Sequence, residues 1–303
     1  VISNDTVMAE QLAPLLDRQA KRHGLHAPVE GLMLSRFVDP SEPLTTVQHP
    51  VYSVVVQGVK EAMIGKEVIR YAAGDSLIAG VDLPVTARIV EASSTRPYLS
   101  VSLALDCRVV LDLLGDQWPQ PTFSENIAPF GVKPFDPRLA DPLVRLLELL
   151  DRPNEIPILS PLIYREIIWR LLQSPFAGLL RQSTWPEGQI ARIARATRWI
   201  RENFDEPLRV SELAARVHMS VPSFHRHFKA ITSVSPLQFQ KQVRLHNARR
   251  RLFQSERIGR VAFEVGYESL SQFNRDYLKL YGLPPSQDVA GLRQEPQPAA
   301  PTS

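Results

Sequence analysis

A single cysteine, Cys107, stands in the 303 residues, so the chain cannot close an internal disulfide. It lies in the apolar run Val101 to Leu114, where a buried thiol is a better reading than a nucleophile. Histidine is also scarce, with seven in the chain, and only His49 falls in the strand-rich region described below. Catalytic metal sites need clustered ligands, and no His-x-His pair is present there. Glu61, Glu67, Asp75 and Glu91 are scattered and read as surface turns. The expectation is therefore no metal, no cofactor and no enzymatic activity. His225 and His227 lie two apart on a helix and do not share a face. There is no uncharged apolar stretch of about 18 residues and no basic leader before an apolar run. This predicts no membrane partner and a cytoplasmic, nucleoid-associated protein.

The charges that are present are unevenly placed. Residues 186–303 carry 18 Lys or Arg against 11 Asp or Glu, a balance of +7, whereas residues 1–185 carry 17 against 21, a balance of −4. A basic module joined to a mildly acidic one fits a polyanion-binding part beside a part with another task. The length and the 44% hydrophobic content suffice for two domains. These are read as 1–185, 186–292 and a disordered proline- and alanine-rich tail, 293–303.

Residues 6–23 have helical spacing, with Met8, Leu12, Leu15 and Leu16 on one face. From Pro28 to about Leu105 the period shortens. Tyr52 to Val56, Ala62 to Ile64, Val68 to Tyr71, Ser76 to Ala79, Val85 to Val90 and Tyr98 to Leu105 are strand-like runs, broken by Gly58, Gly65, Gly74, Gly80 and Pro84. Such a pattern predicts an antiparallel barrel or sandwich able to hold a small molecule. Alternation suggests Val54, Val56, Ile78, Ile89, Val101 and Leu103 as its pocket lining. Leu139, Leu143, Leu146, Leu147 and Leu150 then form a helical stripe that suits either the intramolecular core or a dimer seam. Val109 to Leu114 and Leu162 to Leu172 are further helices, and Gln173 to Gly188 reads as a partly docked linker.

Residues Val210 to Gly282 contain one pattern twice. Val210, Leu213, Ala214 and Val217, the turn His218-Met219-Ser220, then Phe224, Phe228 and Ile231 are answered by Ile258, Val261, Ala262 and Val265, the turn Gly266-Tyr267-Glu268, then Phe273, Tyr277 and Leu280. Offsets are 48 before the turn and 49 after it. A short helix, a tight turn and a longer helix is the geometry that seats a recognition helix in the DNA major groove. With the apolar members inward, Pro222, Ser223, His225, Arg226 and Lys229 face the groove in the first copy. Leu270, Ser271, Gln272 and Arg275 do so in the second, with Asn274 more peripheral. Arginine suits guanine and glutamine suits adenine. Between the copies, Arg244, Arg249, Arg250 and Arg251 on the helix Leu237 to Leu252 read as phosphate contacts. Ser211 and Ser269 are the expected helix N-caps, and Pro222 suits a first helical turn.

The stretch Met219 to Lys229, with Ser235 to Lys241, and then Ala262 to Ser269 with Ser271-Gln272-Phe273, Tyr277, Gly282 and Pro285, resembles the DNA-binding domain of AraC/XylS-family transcriptional regulators. Further forward, Val55 to Lys60, Ile69 to Asp75, Asp82 to Val85 and Pro97-Tyr98-Leu99 resemble the AraC-type N-terminal domain. The resemblance implies an α+β chain: an N-terminal cupin-like β-barrel with flanking helices, and a C-terminal all-α domain with two helix-turn-helix motifs. It implies double-stranded DNA as partner, and RNA polymerase if the protein activates; family members often sense a small molecule in the N-terminal domain, but the resemblance transfers no ligand. The apolar, metal-poor barrel interior together with that match gives a small organic effector as a hypothesis, and the leucine stripe leaves a homodimer open. Two residues depart from the family pattern. Ser233 stands where glycine commonly closes the first motif, and Leu270 replaces a residue that is often small or proline. A rival reading keeps the DNA binding and gives the N-terminal domain dimerisation alone; a barrel filled solid by its own side chains would favour it.

Overall fold

The computed structural model describes residues 7–115, 128–185, 187–254 and 257–294. The chain enters as a π-helical turn, Val7–Leu12, that continues into α1, Ala13–His23. Pro14 donates no amide to the ladder, and the wider turn lies just before it. Met8, Leu12, Leu16 and Ala20 are buried along one side.

Nine strands follow among the described residues: β1 (Leu32–Phe37), β2 (Leu44–Gln48), β3 (Val51–Gln57), β4 (Val59–Ile64), β5 (Glu67–Ala72), β6 (Asp75–Ala79), β7 (Leu83–Glu91), β8 (Tyr98–Ala104) and β9 (Phe130–Pro134). They pair antiparallel as two sheets, in the orders β1-β8-β3-β6-β9 and β2-β7-β4-β5. These are the antiparallel sheets that the strand runs predict, in the cupin-like arrangement that the resemblance implies. Between the sheets lies one apolar core, made by Val51, Val55, Ala62, Ile64, Tyr71, Leu77, Leu83, Val85, Ile89 and Tyr98.

The five-stranded sheet has a second apolar face, and this corrects the expected pocket. Val54, Val56, Ile78, Val101 and Leu103 point away from the barrel and pack with α1 and with the helices that follow the strands. Of the six residues expected to line a pocket, only Ile89 faces inward. Alternation misleads here because both faces are covered: Val51, Tyr52, Val54, Val55 and Val56 are all buried, so the sequence carries no polar beat to set the parity.

The covering helices are α2 (Cys107–Leu114), α3 (Ala140–Glu148), α4 (Ile156–Leu172) and α5 (Ala177–Thr184). Leu139, Leu143, Leu146, Leu147 and Leu150 are 0–1% exposed. The leucine stripe is therefore intramolecular core. The expected linker is instead largely α5, with Leu179 and Leu180 buried. Pro175 precedes that helix, where a missing amide is harmless, and Gly178 sits in its first turn, so neither breaks it.

The remainder is helical: α6 (Gln189–Glu202), α7 (Val210–Arg216), α8 (Val221–Thr232), α9 (Pro236–Phe253), α10 (Ile258–Glu264), α11 (Leu270–Tyr281) and α12 (Pro285–Gln294). Pro285 starts α12, and the helix takes in the first two residues of the expected tail. Residues 295–303 lie outside the described residues. No helix among the described residues is long and apolar enough to cross a membrane.

Candidate nucleic-acid interface

The sequence repeat is reproduced at the level of single hydrogen bonds. In the first copy the amides of Val217 and Met219 donate to the carbonyls of Leu213 and Ala214, and in the second Val265 and Tyr267 donate to Val261 and Ala262. Each turn requires a left-handed residue: His218 at φ +56° and Gly266 at φ +89°. Glycine is necessary in the second copy, because a Cβ at 266 would collide with the Asp205 carbonyl and the Arg244 guanidinium. The recognition helices also end alike. Ser233 (φ +66°) and Gly282 (φ +76°) both close them left-handed, donating to Lys229 and Leu278 at 2.9 and 2.8 Å. Ser233 thus keeps the backbone turn that the family builds with glycine and carries the strain of a side chain there.

Each copy has its own aromatic core. Phe224, Phe228 and Phe239 pack tilted or edge-to-face in the first, and Tyr267, Phe273, Tyr277 and Tyr281 do so in the second. Ser220 caps α8, accepting from the Ser223 amide. The expected caps behave differently. Ser211 lies inside α7, whose N-cap is Arg209, and Ser269 holds the N-cap of α11 in extended backbone without a side-chain bond.

On α8, Pro222, His225, Arg226 and Lys229 are exposed, while Ser223 is half-buried. Arg226 lies 3.4 Å from His227 Nε2, and burial, with the charge of Arg226 second, lowers the pKa of that imidazole. On α11, Leu270, Ser271, Gln272, Asn274 and Arg275 are exposed. The two faces differ in polarity as the sequence suggests: the first carries two cations and an imidazole, and the second one cation, a carboxamide and leucine.

The structure redirects most of the expected phosphate contacts. Arg244 donates to four backbone carbonyls, Phe204 (2.6 Å), Gly266 (2.7 Å), Glu206 (3.0 Å) and Asp205 (3.2 Å), and so ties the end of α6 to the second turn. Arg249 pairs in bidentate fashion with Asp288 at 2.8 and 3.0 Å, locking α9 to α12. Arg251 pairs with Glu264 at 2.9 Å. Of the four, Arg250 alone is exposed, and among the described residues its side chain bonds only to its neighbour Asn247. Helical position alone puts all four on one basic surface, because it says nothing of which carbonyls and carboxylates lie opposite.

Missed altogether was the junction with the barrel. Asp82, 2% exposed, accepts from His49 Nδ1 (2.6 Å), Thr197 Oγ1 (3.1 Å) and Arg201 (3.2 Å), joining β7's lead-in to α6. Thr46 on β2 meets His246 on α9 at 3.3 Å, and Val47 enters the core of the first copy. A cleft of about 1020 Å³ also opens between residues such as Ile64, Lys66 and Phe130 and the C-terminal half of α8, including His227, Lys229 and Ile231. Lys229 thus borders the barrel as well as the exposed face. Among the described residues, no group of three His, Cys, Asp or Glu is placed to hold a metal ion.

Residues 213–290 match a helix-turn-helix domain model. The activator RhaS of Pectobacterium carotovorum is 28% identical over 136 residues, 45% of this chain and 47% of its own. The regulator ArgR of Pseudomonas aeruginosa is 30% identical over 98 residues, 32% of this chain and 30% of its own. The chain therefore spans less than half the length of either relative. ToxT of Vibrio cholerae O395, solved with (E)-4-(8-methylnaphthalen-1-yl)but-3-enoic acid, aligns with a TM-score of 0.60 at 12% identity, over 87% of this chain and 100% of that one. ToxT with an unsaturated fatty acid aligns at 0.55 and 9% identity, over 86% and 93%. These likenesses establish the fold. Residues 28–179, half of the chain, match the AraC-type transcriptional regulator N-terminus, and the chain belongs to the AraC-type transcriptional regulators.

Proposed function

We propose that the protein is a sequence-specific, double-stranded-DNA-binding transcriptional regulator without enzymatic activity, acting in the cytoplasm and modulated by a small organic effector. The observation that carries this reading is the pair of recognition helices, α8 and α11, built on one hydrogen-bonded scaffold and presenting unlike polar faces. Pro222, Ser223, His225, Arg226 and Lys229 read one groove segment, and Leu270, Ser271, Gln272 and Arg275 the next. Arg250 is the phosphate contact retained from the sequence reading. The asymmetry of the two faces supports a two-part half-site in which the first copy makes the stronger electrostatic contact.

The barrel, joined to the DNA-binding helices through Asp82, His49, Thr197 and Arg201, is the element through which an effector alters how those helices are presented. Two solved ToxT structures of this fold hold organic acids, which supports an organic effector here. We also propose a homodimer through α4, whose Ile158, Leu162 and Trp169 are 69, 60 and 43% exposed along one side. RNA polymerase is a partner if the protein activates.

Selection of bound sites from a randomised duplex library tests the central claim. Arg226→Ala and Arg275→Ala should each relax one cluster of preferred bases, with losses on the preferred site of about 1–3 kcal/mol, or roughly 5- to 150-fold. Equal loss on every sequence would contradict base reading by these residues.

A further inference from the structure

Arg192 takes no part in the contacts described so far, yet it makes the same bond that Arg244 makes in the second copy. Arg192 on α6 donates through Nη1 to the carbonyl of His218 at 2.8 Å, and Arg244 on α9 donates through Nη1 to that of Gly266 at 2.7 Å. His218 and Gly266 are the left-handed residues of the two turns. The next amide is fixed as well, since Met219 donates to Ala214 and Tyr267 to Ala262, each at 3.0 Å. The peptide that follows each left-handed residue is therefore held at both ends, its N–H by the scaffold helix and its C=O by an arginine. Repetition of sequence does not account for this. The two turns are 48 residues apart and the two arginines 52, and Gln240, which stands 48 after Arg192, donates instead to the Phe204 and Glu206 carbonyls.

Among the described residues the Arg192 side chain has no carboxylate partner and no other hydrogen bond, and its Nε is buried without an acceptor. A guanidinium half-withdrawn from water gives up hydration, and the His218 carbonyl is what it gains in return. That turn has the greater need of an outside hold, because His218 carries a side chain in a left-handed conformation that glycine adopts freely. The base from which Arg192 reaches is itself fixed. Helix α6 buries Ile193, Ala196 and Ile200 in the core of the first copy and Ile190 and Ala194 in the core between the sheets, and it bonds Asp82 through Thr197 and Arg201. Ser220, the N-cap of α8, comes two residues after His218. Rotation of the His218–Met219 peptide therefore changes the direction in which α8 leaves the turn.

We propose that Arg192 is a positioning residue for the first recognition helix: by holding the His218 carbonyl it sets the angle at which α8 meets DNA, and it passes to α8 the seat that α6 takes on the barrel. The proposal rests on the assignment of α8 to base reading. Bidentate contacts to base edges need close alignment, whereas contacts to phosphates tolerate a shift, so a tilted α8 loses selectivity before it loses all affinity. Arg244 holds the second turn in the same way but also grips three carbonyls just past α6. Removing Arg192 frees one carbonyl only, which makes it the cleaner of the two to test.

The test compares the native full chain with Arg192→Gln and Arg192→Lys. Without DNA, hydrogen exchange at the Met219 amide should speed up about tenfold in Arg192→Gln, with the Tyr267 amide unchanged. In site selection from randomised duplexes, Arg192→Gln should flatten the cluster of preferred bases that Arg226→Ala flattens and keep the cluster lost in Arg275→Ala. Its binding to the native site should weaken roughly tenfold. Arg192→Lys keeps a charged donor and should fall between the two proteins; a lysine variant worse than the glutamine one overturns the proposal. Asp82→Asn loosens the seat of α6 at a distance from the turn, and should speed Met219 exchange in the native background while adding little in Arg192→Gln. Unchanged exchange in Arg192→Gln, a loss spread evenly over both base clusters, or an equal effect of Asp82→Asn in both backgrounds overturns the proposal. If Arg226→Ala flattens no cluster, base reading by α8 falls instead, and the exchange comparison still decides whether Arg192 holds the turn.

Discussion

Replacing Arg249 with methionine is expected to cost stability and to leave the DNA affinity of the folded protein intact. Arg249 and Asp288 are 15 and 7% exposed, and two hydrogen bonds join them at 2.8 and 3.0 Å. The guanidinium also lies 4.7 Å from the Tyr281 ring centroid. Methionine keeps much of the stem's volume but leaves the Asp288 carboxylate with the Tyr277 hydroxyl, 2.6 Å away, as its remaining side-chain donor. Breaking a buried pair by removing one member costs about 3–5 kcal/mol, chiefly the burden of the stranded charge. At roughly 4 °C per kcal/mol for a helical domain of about 100 residues, the melting temperature should fall by about 12 °C or more. Urea denaturation of the full chain, followed through its C-terminal transition, reads the loss directly. The double variant Arg249→Met with Asp288→Asn removes the stranded charge while keeping an acceptor for Tyr277, and should regain a large part of the loss. A phosphate-contacting Arg249 makes the opposite forecast: unchanged melting, weaker binding to all sequences, and a salt dependence shallower by about one unit. That outcome would refute the assignment of Arg249 to the α9–α12 lock.

Gly266→Ala combines a positive φ with a collision against Asp205 and Arg244, so denaturation should show a loss of about 2 kcal/mol or more; a near-neutral result would mean that the second turn is not held as described. His246 is pushed down to about 4 by burial first and by the charges of His49, Arg250 and Arg249 after it. Because the folded state prefers the neutral ring, its contribution is complete above the ordinary value of 6.5 and is lost as pH falls from there toward 4, by at most about 3 kcal/mol. His246→Gln should flatten the stability profile over that interval, and parallel profiles for the two proteins would count against the effect. For the homodimer, Ile158→Lys with Leu162→Lys should halve the mass measured by light scattering, and an unchanged mass would dispose of α4 as the seam.

What the sequence disclosed best was whatever repeats or alternates on one side only. The paired helix-turn-helix motifs, with Phe224 and Phe228 answering Phe273 and Tyr277, are periodic and half-exposed, so pattern alone locates both the core and the outward face. Inside the barrel the same logic failed by one residue. Val54 and Val55 are chemically identical and both buried, yet they belong to different cores. Proline and glycine misled at α5, where Pro175 and Gly178 stand at the helix start and interrupt nothing. The arginines of α9 show another limit. Their spacing is visible, but the partners of Arg244 and Arg249 come from residues some 40 positions away. Asp82 was equally opaque, since its three partners come from His49, Thr197 and Arg201 and meet only when the barrel docks on α6.

The five-stranded sheet is a partition with an apolar core on each side. On one side are Val51, Val55, Leu77 and Tyr98, and on the other are Leu16, Leu146, Ile167 and Leu171 of the helices that cover it. Close-packed interiors yield little to compression, so whatever enlarges the inner core displaces the wall, and the helices behind the wall move with it. Ile167 and Leu171 lie on α4, the helix whose far side carries Ile158 and Leu162 to the surface. Any displacement of the five-stranded sheet would thereby reach the outermost helix through direct packing, with no hinge needed between them.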